Sequence, residues 1–140
     1  AAVADWRLIP KTSSNKKIDT NNKIKKTKEK LLFETIKNPD ILETIAKSNL
    51  RPKIVVGFSA ETSNIKSNSY SKLISKNADL MIANDVSNNK VFGEDYNKVF
   101  LVYENNYEQW EKQSKKSVAY HLADRIHDLL INYKKRVLNA

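Results

Sequence analysis

The 140-residue chain contains no cysteine and only two glycines, Gly57 and Gly93. The absence of cysteine excludes disulfide bonds, thiolate zinc sites and a cysteine nucleophile. Two glycines this far apart cannot form the loop of a dinucleotide-binding GxGxxG motif or of a phosphate-binding P-loop. Any nucleotide that the chain binds must therefore have its phosphates held by other groups.

Long apolar runs are also missing from the sequence. No stretch approaches the roughly 20 apolar residues that cross a bilayer, and the N-terminus lacks the basic-then-apolar pattern of a secretion signal. We therefore expect a cytoplasmic protein without a membrane partner. With 40% hydrophobic residues, a chain of this length can still bury roughly 70% of its unfolded surface in a core.

Positive charge is in excess, since 25 Lys and Arg face 16 Asp and Glu, for a net charge of +9. Such a balance attracts polyanions, phosphorylated metabolites or anionic membranes without choosing among them. Residues 8–30 are predicted to form a flexible basic loop because they are rich in lysine and poor in apolar residues. Residues 11–30 contain no aromatic side chain that would stack on a base. A nucleic-acid-binding module is therefore kept only as an alternative.

Hydrophobic patterning predicts strands that alternate with helices. Continuous apolar or alternating runs predict strands at 31–37, 54–58, 79–85 and 98–103. Helices are predicted from Asn38-Pro39, over 63–76, and as a long amphipathic C-terminal helix marked by Val118, Leu122, Ile126, Leu129, Tyr133 and Val137. This order indicates an α/β, Rossmann-like layered fold with a mostly parallel sheet.

Polar residues follow the predicted strands, where ligands bind in open parallel sheets. They are Asp5, Asn38-Pro39-Asp40, Phe58 to Thr62, and Asn84-Asp85. A helix that begins at Pro39 would offer free backbone N–H groups to a phosphate. Surface loops are polar in any protein, so ordinary loop polarity remains the competing interpretation.

Several side chains near these strand ends have two interpretations each. Lys72 and Lys76 share one helix face, where like charges repel unless an anion lies between them; the alternative is two solvated lysines. Phe58 would stack on a base or pack in the core. Glu61 would assist Mg²⁺ or cap the following helix. His121 and His127 lie about 120° apart around one helix, which predicts surface histidines rather than a metal site.

The order of motifs resembles that of a known enzyme family, bacterial phosphopantothenate–cysteine ligase, the synthetase half of a bifunctional coenzyme A biosynthesis protein. The similarity covers nearly the whole chain and corresponds to the C-terminal part of that enzyme. The motifs that carry it are Ala1 to Arg7, Lys23-Ile24-Lys25-Lys26, Asn38-Pro39-Asp40-Ile41, Val55 to Thr62, Lys72 to Lys76 with Asp79-Leu80, Ala83 to Val86, and Phe92 to Asn97.

The resemblance implies a two-step ligation that uses CTP and Mg²⁺. The carboxylate of 4'-phosphopantothenate attacks the α-phosphate of CTP to give an acyl-cytidylate and pyrophosphate, and the amine of cysteine then displaces CMP. Lys23 would be the catalytic residue facing the reacting phosphate, and the resemblance identifies no metal ligand. The residues it implies for nucleotide binding are Asp5, Lys23, Pro39, Asp40, Ile41, Leu42, Phe58, Lys72 and Lys76.

The resemblance also implies a homodimer built on an extension of the sheet. We place that contact at Phe100 to Tyr103 and at Tyr107 to Trp110. Residues 1–140 are expected to be the C-terminal part of the ligase domain, because the family's N-terminal half, with its glycine-rich loop, has no counterpart here. We expect a fragment or one part of a split enzyme, with a decarboxylase domain as a further missing partner. A non-catalytic fragment that only binds CTP stays open as an alternative.

Overall fold

The computed structural model describes residues 3–26, 30–87, 94–104 and 106–138. These residues divide into two compact units, Ala1–Asp40 and Ile41–Ala140. The first unit contains a β-hairpin and its long connecting segment. The second contains the α/β layers. The helices in the described part of the chain are too short or too polar to cross a membrane.

The hairpin of the first unit pairs β1 (Trp6–Lys11) with β2 (Leu32–Lys37) in antiparallel register. The β2 strand confirms the prediction for 31–37. Two expectations were wrong at β1. Residues 8–11, which were assigned to the basic loop, are paired in this strand. Asp5 was expected to follow a strand, but it precedes β1. Trp6, Leu8 and Pro10 share one face of β1, and pairing with β2 supplies the backbone hydrogen bonds that a loop would lack.

The second unit is built on a four-stranded sheet in the order β3-β4-β6-β7. The α/β fold class is confirmed. Among its described strands, β3 and β4 are parallel and joined by α2, whereas β6 and β7 continue the sheet antiparallel. A two-stranded ribbon, β5 with β8, precedes the last helix. The element bounds are α1 (Ile41–Ala46), β3 (Val56–Glu61), α2 (Ile65–Lys76), β4 (Leu80–Asp85), β5 (Tyr96–Asn97), β6 (Val99–Tyr103), β7 (Asn106–Gln109), β8 (Gln113–Ser114) and α3 (Lys115–Leu138).

The core of this unit lies on both faces of β4 and β6. Successive side chains of a strand point to opposite faces, so Leu80 and Ile82 pack with Val118 and Leu122 of α3. On the other face, Met81 packs with Leu73 of α2 and Val102 of β6. The strand predictions at 79–85 and 98–103 and the C-terminal helix are thereby confirmed.

A carboxylate network joins the β6–β7 hairpin to α3. Glu108 on β7 accepts hydrogen bonds from the Tyr103 hydroxyl at 2.5 Å and the Trp110 indole N–H at 3.3 Å, and also pairs with Arg125 of α3. Burial alone would raise the pKa of Glu108, but these three hydrogen bonds and the Arg125 charge lower it overall. The network therefore attaches the helix to the sheet through an ionised carboxylate.

Two further expectations from the sequence were wrong, one about where α1 begins and one about the dimer contact. The helix predicted to start at Pro39 begins at Ile41 and has six residues, because the Asn38 amide instead donates to the Ala4 carbonyl at 2.7 Å and accepts from Arg7 at 3.0 Å. The predicted dimer contact at Phe100 to Tyr103 fails too. That run forms β6, an interior strand in which residues 100–102 are at most 5% exposed.

Candidate functional site

Lys72 and Lys76 lie one turn apart on α2, and each is paired with a carboxylate. The Lys72 ammonium donates to Glu61 Oε1 at 2.7 Å, and the Lys76 ammonium lies 3.2 Å from Glu43 Oε2. The lysine side chains are 43% and 25% exposed, respectively. Two like charges one turn apart on a helix repel unless an anion lies between them. The protein itself supplies carboxylates, and both lysines still reach the surface.

Glu61 is buried at the end of β3, and its predicted role as a cap of the following helix is wrong. The N-cap of α2 is Asn64, without a side-chain hydrogen bond, so Glu61 does not cap that helix. Its two carboxylate oxygens accept from Lys72 and, at 3.3 Å, from the Asn68 amide. Only 6% of the residue is exposed. Burial of a charge requires such pairing, which the two α2 side chains provide.

Glu43 on α1 is a site residue that the sequence did not predict. It accepts from Lys47, the residue after α1, at 2.8 Å, and from Lys76. Hydrogen bonds from Lys47 and Lys76, with their charges, lower the pKa of Glu43. The spacing to Lys47 is visible in the sequence as a helical i,i+4 pair, but Lys76 is 33 residues away and left no local signal.

Leu42 is held against the sheet by the small size of Gly57. A Cβ atom on Gly57 would lie 2.6 Å from Leu42 Cδ2 and closer still to the Met81 sulfur. Leu42 also packs on the cluster of Leu73, Met81 and Val102. The glycine of β3 therefore sets the distance between α1 and the sheet, and with it the position of Leu42 and Glu43.

Phe58 is exposed on β3. Its neighbour Gly57 faces Leu42, so the alternation of the strand puts the Phe58 ring on the opposite face. The residue is 63% exposed, which contradicts the core-packing interpretation and leaves the ring accessible to a ligand. Among the described strands of its sheet, β4 is the one that pairs with β3.

The remaining predicted nucleotide residues belong to the first unit or to the start of α1. The Asp5 carbonyl accepts from the Asn38 backbone N–H at 2.7 Å, so the hairpin register brings Asp5 beside the segment that contains Pro39 and Asp40. Lys23 lies exposed between β1 and β2. Ile41, the first residue of α1, is 52% exposed.

The polar end of β4 is held by local hydrogen bonds. Asp85 accepts from the Ser87 hydroxyl at 2.6 Å and from the Ser87 backbone N–H. The hydroxyl hydrogen bond is the main reason that the pKa of Asp85 is lowered. Asn84 accepts from the Asn97 amide at 2.7 Å. These contacts shape the turn after the strand.

Among the residues that the structure describes, no group of three His, Asp or Glu side chains is placed to hold a metal ion. His121 and His127 are both exposed, as predicted. His121 meets the Trp110 ring edge-on at 5.5 Å between centroids.

Comparison with known proteins gives the family. Residues 1–130 match the model of the DNA/pantothenate metabolism flavoprotein C-terminal domain. The chain belongs to this family. It is 34% identical over 135 residues to the coenzyme A biosynthesis bifunctional protein CoaBC of Haemophilus influenzae and 38% identical over 120 residues to that of Borreliella burgdorferi. These matches cover 96% and 85% of this chain but only 31% and 28% of the relatives.

Solved structures agree with this assignment. The C-terminal domain of a CoaBC protein superposes with a TM-score of 0.60 at 27% identity, over 71% of this chain and 46% of that one. The flavoprotein from Streptococcus pneumoniae, with a TM-score of 0.64 at 22% identity, covers 91% of this chain and 60% of its own and supports the fold. This member of the flavoprotein C-terminal domain family thus spans under a third of the curated relatives' length.

Proposed function

We propose that this chain is part of a CTP-dependent phosphopantothenate–cysteine ligase that acts in coenzyme A biosynthesis. The observation that carries the proposal is the similarity to CoaBC proteins over 96% of the chain. The paired, surface-reaching lysines of α2 support it, because they are the side chains expected to bind the nucleotide's phosphates. Residues 1–140 would form the C-terminal part of the ligase domain.

The proposed reaction builds negative charge on the α-phosphate of CTP. When the 4'-phosphopantothenate carboxylate attacks that phosphorus, the bond to pyrophosphate breaks and an acyl-cytidylate forms. The cysteine amine then attacks the acyl carbon, loses a proton and releases CMP. Fixed positive groups that face the developing charge stabilise such a transition state. We assign Lys23 to the reacting phosphate, and Lys72 and Lys76 to the other phosphate oxygens.

The cytidine part is assigned to the remaining predicted residues. Phe58 offers an exposed ring for stacking on the base. Asp5, Pro39, Asp40, Ile41 and Leu42 would line the rest of the pocket. Because α1 has only six residues, we assign the nucleotide's charge to the lysines rather than to the start of this helix.

We propose that Mg²⁺ enters the site together with the nucleotide. Protein sites often hold Mg²⁺ through one or two carboxylates together with substrate phosphates. Both oxygens of Glu61 accept hydrogen bonds from α2 side chains, so we name no protein ligand for the ion. When bound, Mg²⁺ would neutralise charge on the phosphates.

A homodimer is the second part of the proposal, with the β1–β2 hairpin as its contact. Trp6 and Leu8 lie on one face of β1, and Phe33 pairs with Pro10 on that face. These three apolar side chains are 57%, 63% and 55% exposed. A two-stranded hairpin is marginally stable in water unless its apolar face is covered. We propose that a second copy of the chain covers it.

Calorimetric titration with CTP and Mg²⁺, against ATP as a control, tests the nucleotide assignment. Saturable binding of CTP in preference to ATP is expected. A nucleic-acid-binding module would instead be indifferent to the nucleotide and would bind polyanions with an affinity that falls steeply with salt. Binding of CTP without formation of product from all three substrates would favour the non-catalytic alternative.

A further inference from the structure

Glu61 is the most deeply buried carboxylate of the candidate site, and the proposed reaction gives it no role. Its side chain is 7% exposed, whereas that of its partner Lys72 is 43% exposed. The ion pair therefore runs outward, from a carboxylate inside the α/β layers to an ammonium at the surface. An ammonium has three donor hydrogens. With one hydrogen on Glu61 Oε1, Lys72 keeps donor capacity on its exposed side.

The orientation of Glu61 is itself fixed. The Asn68 amide donates to Oε2 at 3.3 Å and also donates to the Ser63 carbonyl at 2.9 Å, which ties it to the start of α2. The Glu61 backbone carbonyl accepts from Val86 N–H at 2.9 Å, beyond the end of β4. Backbone and side chain are thus both held, so the carboxylate is a rigid anchor for a long, flexible lysine.

Glu43 is a weaker anchor for the neighbouring lysine. Its side chain is 38% exposed and is shared between Lys47 and Lys76. Exposed ion pairs in water stabilise little, because solvent and salt screen them. The two carboxylates therefore form a matched pair for comparison: one buried and dedicated to one lysine, the other exposed and divided between two.

We propose that Glu61 is a positioning residue that holds the Lys72 ammonium ready for a nucleotide phosphate. The inference rests on the proposed function, since it assumes that Lys72 meets a phosphate. A free lysine loses rotamer freedom when it binds, and this loss weakens binding. The ion pair with Glu61 orders Lys72 beforehand. Without the anchor, affinity for a phosphate ligand should fall roughly 2- to 12-fold, the usual effect of immobilising one such side chain.

The test compares Glu61→Gln with Glu43→Gln in the full chain. The dissociation constants of CTP and of inorganic tripolyphosphate are measured by calorimetry, and the mobility of the lysine ammonium groups by NMR without ligand. Glu61→Gln should weaken both ligands and mobilise Lys72, while Glu43→Gln should leave Lys72 unchanged. In a Lys72→Ala background, Glu61→Gln should cause no further loss, because the positioned group is already gone.

Each outcome decides the matter. Tighter binding by Glu61→Gln, equal effects of the two glutamate variants, an undiminished effect in the Lys72→Ala background, or an unchanged Lys72 signal would overturn the positioning role. If the parent chain binds tripolyphosphate but not CTP, and Glu61→Gln weakens tripolyphosphate binding, the proposed function is overturned while the positioning role of Glu61 is supported. If neither ligand binds, both are overturned. Should Glu61→Gln fail to fold, Asn68→Ala removes the second hydrogen bond on Glu61 and should produce a smaller loss in the same direction.

Discussion

At the scale of single residues, the candidate site is a set of lysines held by glutamates. The Lys72 and Lys76 ammonium groups are ordered by carboxylates that lie outside the helix they share. A lysine that is already ordered binds an anion at a smaller entropic cost than a free one. Under the proposed function, the pairs prepare the α2 surface for a phosphate ligand.

Removal of either lysine should weaken CTP binding. Hydrogen bonds to charged groups contribute about 1.5–3 kcal/mol, so Lys72→Ala and Lys76→Ala should each lower affinity roughly tenfold or more. Calorimetric titration with CTP and Mg²⁺ measures this. Lys66→Ala is the matched control, because Lys66 lies on the same helix but over the Tyr107 ring, 5.2 Å from its centroid. Equal losses at all three positions would show only a general charge effect.

The lowered pKa of Glu108 should make the free energy of unfolding depend on pH. Its pKa in the folded chain lies below the ordinary value of 4.5. The carboxylate therefore contributes stability that is present above that value and is lost as the pH falls through the lower, folded pKa. Glu108→Gln should reduce the free energy of unfolding by about 1–3 kcal/mol at pH 7, and the difference from the parent chain should shrink towards pH 3.

Urea unfolding at a series of pH values measures this prediction. The exposed Glu111, three residues along the chain, provides the control variant Glu111→Gln. A difference between parent and Glu108→Gln that stays constant from pH 7 to pH 3 would mean that the Tyr103–Trp110–Arg125 network does not depend on the charge.

At the scale of elements, the packing of α1 on β3 depends on Gly57. In Gly57→Ala, the added methyl group would clash with the Leu42 and Met81 side chains, so both would have to move. Overpacking of this kind commonly destabilises by about 1–3 kcal/mol. The double variant Gly57→Ala with Leu42→Ala should be less destabilised than the sum of the two single variants, since the second change makes room. Additive losses in chemical unfolding would contradict the contact.

The elements that the sequence predicted correctly are those with a local pattern. The buried run at 80–83 and the apolar stripe of the C-terminal helix both give a strong periodic signal, and β4 and α3 follow it. β1 was missed because its identity depends on pairing with β2, whose residues lie more than 20 positions away. The apolar run at 100–103 is compatible with an interior strand and with a dimer contact. Only the order of strands in the sheet distinguishes these two possibilities.

The candidate site was predictable in its residue types and not in its contacts. The helical face of Lys72 and Lys76 follows from helix spacing, whereas the sequence left open whether Phe58 is exposed or packs in the core. The partners Glu61 and Glu43 stand 11 and 33 positions from those lysines. Such distances in sequence are closed only by the fold, and no periodicity encodes them.

At the scale of the whole molecule, the apolar face of the hairpin predicts self-association. If a second copy covers Trp6, Leu8 and Phe33, the chain should sediment at twice its 16.1 kDa. The double variant Leu8→Ser with Phe33→Ser should sediment as a monomer. Tyr120→Ser is the control, because Tyr120 is also 63% exposed but lies on α3. A parent chain that remains monomeric at micromolar concentration would contradict the proposed contact.

The most direct test of the account is titration of this 140-residue chain with CTP and Mg²⁺, beside ATP and the Lys72→Ala variant. We expect saturable binding that prefers CTP to ATP and is lost or strongly weakened without Lys72. No binding of CTP, or equal binding by the parent chain and Lys72→Ala, would contradict the assignment of a nucleotide site to these residues.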